Sequence, residues 1–140
     1  LQQRQPNIRP VSAKKFMGRS GKAYTVQGKG GLIREIRLST DLAVNLETTR
    51  LPEPIKITDR GVHYDQFYAI AAGQSWSRSF STASTRTLGW SAGSHGTRHS
   101  YAQERMEELQ SLGCHYAEAL EIVSQELGHF RPEITEVYLR

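Results

Sequence analysis

Three short stretches in the second half of this 140-residue chain carry side chains suited to anion binding and proton transfer. They are His95-Gly96-Thr97-Arg98-His99, then Leu127-Gly128-His129, then Tyr138, nine residues beyond His129. An arginine offers a planar fork that grips two oxygens of a phosphate at once. A histidine gains or loses a proton near neutral pH. A phenol, with an ordinary pKa of about 10, is a poor nucleophile unless its proton is drawn away. Each stretch alone has a plain structural account. H-x-x-R is often a surface pair. L-G-H is often a helix C-cap, with glycine in the left-handed conformation and histidine against the helix dipole. A tyrosine near a C-terminus is often core or an exposed aromatic.

The elements that would position these groups follow from periodicity. Residues 98–112 place Tyr101, Met106, Leu109 and Leu112 on an amphipathic helix closed by Gly113. Residues 116–127 place Ala119, Leu120, Val123 and Leu127 on a second, closed by Gly128. A short helix or turn over 133–139, after Pro132, carries Tyr138. Upstream, KAYTVQ and LIREIRL are β-prone runs joined by GKGG, which predicts a β-hairpin over 22–38 with Lys29 at its tip. Residues 40–50 read as a helix N-capped by Thr40 or Asp41 and closed by Pro52 and Pro54. Residues 61–72 read as a helix from the spacing of Tyr64, Phe67, Tyr68 and Ala71, with His63 on it as a structural residue. The Ser/Thr/Gly-rich stretch 73–94 holds a short helix in STASTRTLGW, and Trp76 and Trp90 read as core anchors. Glu104, Glu107 and Glu108 form the solvated face of a helix.

Taken together, in this order and spacing, the three stretches resemble the tyrosine recombinase (phage integrase) family. Its signature is H-x-L-R-H, then about thirty residues, then L-G-H, then nine residues to a tyrosine; here SHGTRHSYA to GHFRPEITEVYLR follows it, with Thr97 in place of the usual Leu. The run VQGKGGLIREIRL matches the family's β-hairpin with a G-K-G turn. The resemblance covers residues from about 22 to 140 and implies an α+β catalytic domain, mostly helical, with a small antiparallel hairpin. It implies a site-specific recombinase that cleaves and rejoins double-stranded DNA through a 3′-phosphotyrosyl link, without metal, nucleotide or other cofactor. Tyr138 is then the nucleophile, Arg98 and His129 bind the phosphate, and His95 accepts or relays the phenol proton. Lys29 becomes the general acid for the leaving 5′-oxygen, and His99 orients its neighbours. Lys29, Arg34 and Arg98 contact DNA. Preorganised donors aimed at developing phosphate charge are usually the largest catalytic contribution, so these residue types suit the reaction.

The family also has an arginine in a helix reading roughly R-x-x-E-L ahead of the lysine hairpin. No such motif occurs here, because Arg4 and Arg9 lack the following Glu-Leu and Pro6 and Pro10 oppose a helix. The expectation is a partial catalytic domain whose first arginine and N-terminal DNA-clasping domain precede residue 1, and which is a poor catalyst alone. The full-length protein is expected to act as a tetramer on DNA in the bacterial cytoplasm.

Charge distribution fits a polyanion-facing side. Residues 1–40 hold nine Lys/Arg against one acid, Glu35, whereas residues 41–140 hold nine against thirteen. GKGG lacks the spacing of a nucleotide-binding P-loop. One cysteine, Cys114, excludes an internal disulfide, and beside His115 it does not make a zinc site. No apolar run is long enough to span a membrane. The competing expectation is a non-catalytic DNA-binding module, in which the basic hairpin contacts phosphates and no covalent link forms.

Overall fold

The first element is a short strand, β1 (Gln2–Gln3), which pairs antiparallel with β2 (Lys22–Gln27). β2 pairs in turn with β3 (Ile33–Leu38), from Lys22 opposite Leu38 to Gln27 opposite Ile33, which is the hairpin read from the sequence. The computed structural model describes residues 2–3, 11–28, 31–59 and 61–140, so Lys29 lies outside the described residues. A Cβ on Gly21 would overlap the Leu38 carbonyl, so the approach of the two strand ends requires glycine there.

The chain divides into two units, Leu1–Ile70 and Ala71–Arg140. In the first, the core is Tyr24, Ala43, Leu46 and Tyr68, flanked by Ile36, Leu38 and Phe67. Helix α1 (Thr40–Glu47) supplies Ala43 and Leu46. Its N-cap is Ser39, whose Oγ accepts from Leu42 N at 3.4 Å, and not Thr40 or Asp41. The basic segment ahead of β2 is pinned at Phe16, which is buried between Lys15 and Arg37 at 4.9 and 5.1 Å from its ring centre. Lys15 donates to the Glu35 carbonyl at 3.0 Å and Arg37 donates to the Arg19 carbonyl at 3.1 Å.

The helix expected over 61–72 is instead a strand. β4 (Arg50–Asp59) and β5 (Val62–Tyr68) form a second antiparallel pair, with Lys56 opposite Asp65 and Ile57 opposite Tyr64. The stretch VHYDQFY is rich in β-branched and aromatic residues, and Gly61 at φ +77° lies in the turn before it. Pro52 and Pro54 fall where the register shifts between Arg50 and Ile55, a position in which missing N–H donors do not break the ladder. His63 therefore sits on a strand, with its Nδ1 2.9 Å from Thr58 Oγ1.

The second unit is helical: α2 (Gly73–Leu88), α3 (His95–Ser111), α4 (Tyr116–Leu127), α5 (Pro132–Glu136) and a terminal 3₁₀ turn (Val137–Leu139). Helix α2 is longer than expected and buries no residue. Trp76 and Trp90 are exposed, at 45% and 62%, so they are not core anchors; Trp76 stacks on Phe80 one turn along. Helices α3 and α4 pack through Ala102, Met106, Leu109, Ala119, Leu120, Ile122 and Val123, all buried. Leu112, expected on that face, is half exposed just past the end of α3. Among the described residues no helix is long and apolar enough to cross a membrane. The fold is α+β, with five helices and two small antiparallel sheets among the described residues.

Candidate functional site

Helix α4 ends in a Schellman motif. Gly128 takes φ +80°, its N–H bonds the Gln125 carbonyl at 3.1 Å, and the His129 N–H bonds the Ser124 carbonyl at 2.9 Å. The L-G-H stretch is therefore a C-cap, and the cap also aims a side chain. Left-handed Gly128 turns the chain so that His129 lies beside the helix end. The carbonyl of Leu127, unsatisfied by the helix itself, accepts from Arg98 Nη2 at 2.6 Å. It is Arg98, and not His129, that meets the negative end of the helix dipole.

Arg98 lies in the first turn of α3, and its Nη2 is also 3.0 Å from His129 Nε2. A guanidinium can only donate, so Nε2 accepts and the imidazole carries its proton on Nδ1. That nitrogen is 3.2 Å from Thr135 Oγ1 on α5, a side chain fully buried. Pro132 at the start of α5 suits a helix N-terminus, where its missing N–H costs nothing. The following 3₁₀ turn carries Tyr138. Its ring stacks on His129 (centroids 5.1 Å apart, 18° between planes) and tilts against His99 (4.7 Å, 60°), and Arg98 Cζ lies 5.9 Å from its centre. None of the described residues hydrogen-bonds the Tyr138 hydroxyl. Arg98 Nε is buried with no acceptor.

Folding thus brings Arg98, His99, His129 and Tyr138 into one cluster. His95, which opens α3, is exposed, and among the described residues no hydrogen bond joins it to the other two stretches. Thr97 is exposed as well and bonds the Ser94 carbonyl at 2.6 Å. Arg34 lies half-buried on β3 in the other unit.

Beneath the cluster is a network that motif reading missed. The Arg105 and Glu126 side chains are both fully buried, with Arg105 Nε 3.0 Å and Nη2 3.1 Å from the two carboxylate oxygens. Tyr101 donates to Glu126 Oε2 at 2.6 Å, and Glu108 reaches Arg105 Nη1 at 2.8 Å. Glu108 is thus an ion-pair partner and not part of a solvated face. Burial works against the Arg105 charge, but Glu126 and Glu108 outweigh it and raise its pKa. The available signal was an arginine in the Ala102–Met106–Leu109 stripe and a glutamate inside the buried face of α4. Among the described residues no group of three or more His, Cys, Asp or Glu is arranged to hold a metal ion.

No protein-family model matches this chain, and no curated protein or solved structure matches it.

Proposed function

We propose that the chain carries the strand-cleaving site of a tyrosine-type DNA recombinase, with Tyr138 as the nucleophile toward a DNA phosphodiester. One observation carries the reading. Residues from three separate elements, Arg98, His129 and Tyr138, meet in one cluster in which Arg98 keeps a buried N–H without an acceptor and the phenol oxygen is unbonded among the described residues. An unspent guanidinium donor beside the phenol suits an oxyanion.

In this reading the phosphate takes the donors of Arg98 in place of the Leu127 carbonyl and His129 Nε2. His129, so released, donates to the same phosphate once its Nε2 carries a proton. Tyr138 Oη attacks phosphorus, the 5′-oxygen leaves, and a 3′-phosphotyrosyl bond replaces the P–O5′ bond. The phenol proton passes to an imidazole; His99 and His129 both lie against the Tyr138 ring, and His95 stands one helical turn from Arg98 on the solvent side. The family resemblance assigns the proton for the leaving oxygen to Lys29, which lies outside the described residues. Duplex DNA is the partner, and the basic first forty residues give it an electrostatic footing.

The test is a single-turnover incubation with nicked duplexes of random sequence at low salt, with divalent metal chelated, read on a denaturing gel. A covalent adduct is expected from the wild type, at the low yield of a site without the R-x-x-E-L arginine, and none from Tyr138→Phe. Salt-sensitive binding without an adduct would overturn the reading in favour of a non-catalytic DNA-binding module.

A further inference from the structure

The Arg105–Glu126 pair raises a question that packing alone does not answer. Replacing a buried ion pair by apolar side chains of similar volume is often neutral or stabilising, so joining α3 to α4 does not call for two buried charges. What charged hydrogen bonds add is direction, because they fix distance and angle where apolar contacts slide. Arg98, Tyr101 and Arg105 are three and four residues apart and so share one face of α3. Their partners are gathered at the end of α4: Glu126 for Arg105 and Tyr101, then Leu127 and His129 for Arg98. The same two helices are thus clamped at adjacent levels. A rotation of α3 that the Ala102–Met106–Leu109 stripe would tolerate breaks the lower clamp first.

We infer that Arg105, Glu126 and Tyr101 are positioning residues that hold Arg98 in register with His129 and Tyr138. The inference rests on the reading of that cluster as the phosphate site. Arg105 and Glu126 never touch substrate; they act through the helix rotation that sets where the Arg98 fork points. Glu108, holding Arg105 Nη1 from the same helix, keeps the guanidinium from swinging out of the interface.

The test uses the full chain with Arg105→Met and Glu126→Leu combined, which removes both charges and keeps the volume. Three readouts are taken: the thermal midpoint, the single-turnover rate of adduct formation, and the nitrogen-15 NMR signature of the His129 imidazole without DNA. The double variant is expected to melt near the wild type. Its adduct rate is expected to fall roughly 10- to 100-fold, the usual cost of losing an outer-shell partner. Its His129 is expected to lose the single Nδ1–H tautomer that Arg98 imposes. A folded double variant with an adduct rate within twofold of wild type and an unchanged imidazole signature overturns the inference. If the double variant does not fold, Tyr101→Phe replaces it: a several-fold slower adduct supports positioning, and an unchanged rate overturns it. If the wild type itself forms no adduct, the recombinase reading fails, and the imidazole signature alone decides the positioning role.

Discussion

Each unit of the chain gathers tyrosine and arginine around one carboxylate, two tyrosines in the first and one in the second. In the first unit Glu47 accepts from Tyr24 at 2.7 Å, Tyr68 at 3.2 Å, Arg50 at 2.7 Å and Lys22 at 3.3 Å. Arg50 above all, then Tyr24, holds the Glu47 carboxyl down to about 2. Burial, and then the hydrogen bond to Glu47, pushes both phenols above their ordinary value. A tyrosine whose proton is committed to a carboxylate is a poor nucleophile. In the second unit the carboxylate, Glu126, is sealed inside with Arg105 and Tyr101, and Tyr138 is left against two imidazoles and a guanidinium. The same residue types therefore make a structural clamp in one place and a candidate reactive phenol in the other. The difference is that a carboxylate takes the phenol protons in the first unit, whereas none of the described carboxylates bonds the Tyr138 hydroxyl in the second.

The comparison breaks or sharpens with substitutions. The largest stability effect is expected from Arg105→Ala, which strands Glu126 as a buried charge and costs about 3–5 kcal/mol by denaturant unfolding. Arg50→Ala in the more exposed clamp is expected to cost much less; equal losses would mean that burial does not separate the two. Next comes Arg98→Lys, which keeps the charge but loses the fork. Adduct formation is expected to fall on the order of 10²–10³-fold in single-turnover assays. Gly128→Ala forces a left-handed backbone on a residue with a Cβ, at a cost of about 1–2 kcal/mol. It should also slow adduct formation, because the same turn aims His129.

The smallest effect is a pH dependence confined to the first unit. The Glu47 pKa is about 2 folded against an ordinary 4.5, so its contribution is fully present above pH 4.5 and is lost as pH falls toward 2. The wild type should therefore melt above Glu47→Gln at pH 6, with the gap closing between pH 4.5 and 2. A gap independent of pH would remove the ionised carboxylate from the account.

Much of this was legible in the chain because local signals agreed. The 22–38 hairpin has alternation and a glycine turn, and α4 runs over the residues its periodicity marks. Failures came where local patterns compete. Tyr64, Phe67, Tyr68 and Ala71 fit a helical spacing, yet the same stretch is aromatic-rich and pairs with a preceding strand that two prolines disguise. Trp76 and Trp90 read as core because large aromatics usually pack inside, but α2 buries no residue and Trp90 lies exposed beyond its end. At the site, the residue types were visible and their partners were not. Nothing short of the fold reveals that the Leu127 carbonyl takes Arg98, that Thr135 holds His129, or that His99 meets Tyr138 while His95 faces solvent.

The central claim is that Tyr138, among six tyrosines, is the one that bonds to DNA. The direct measurement is to trap the adduct, digest the DNA to a nucleotide stub, and locate the modified residue by tandem mass spectrometry. The expected result is a nucleotide phosphate on the peptide containing Tyr138 and on no other. A stub on Tyr24, Tyr64, Tyr68, Tyr101 or Tyr116, or no modified tyrosine at all, would contradict the account.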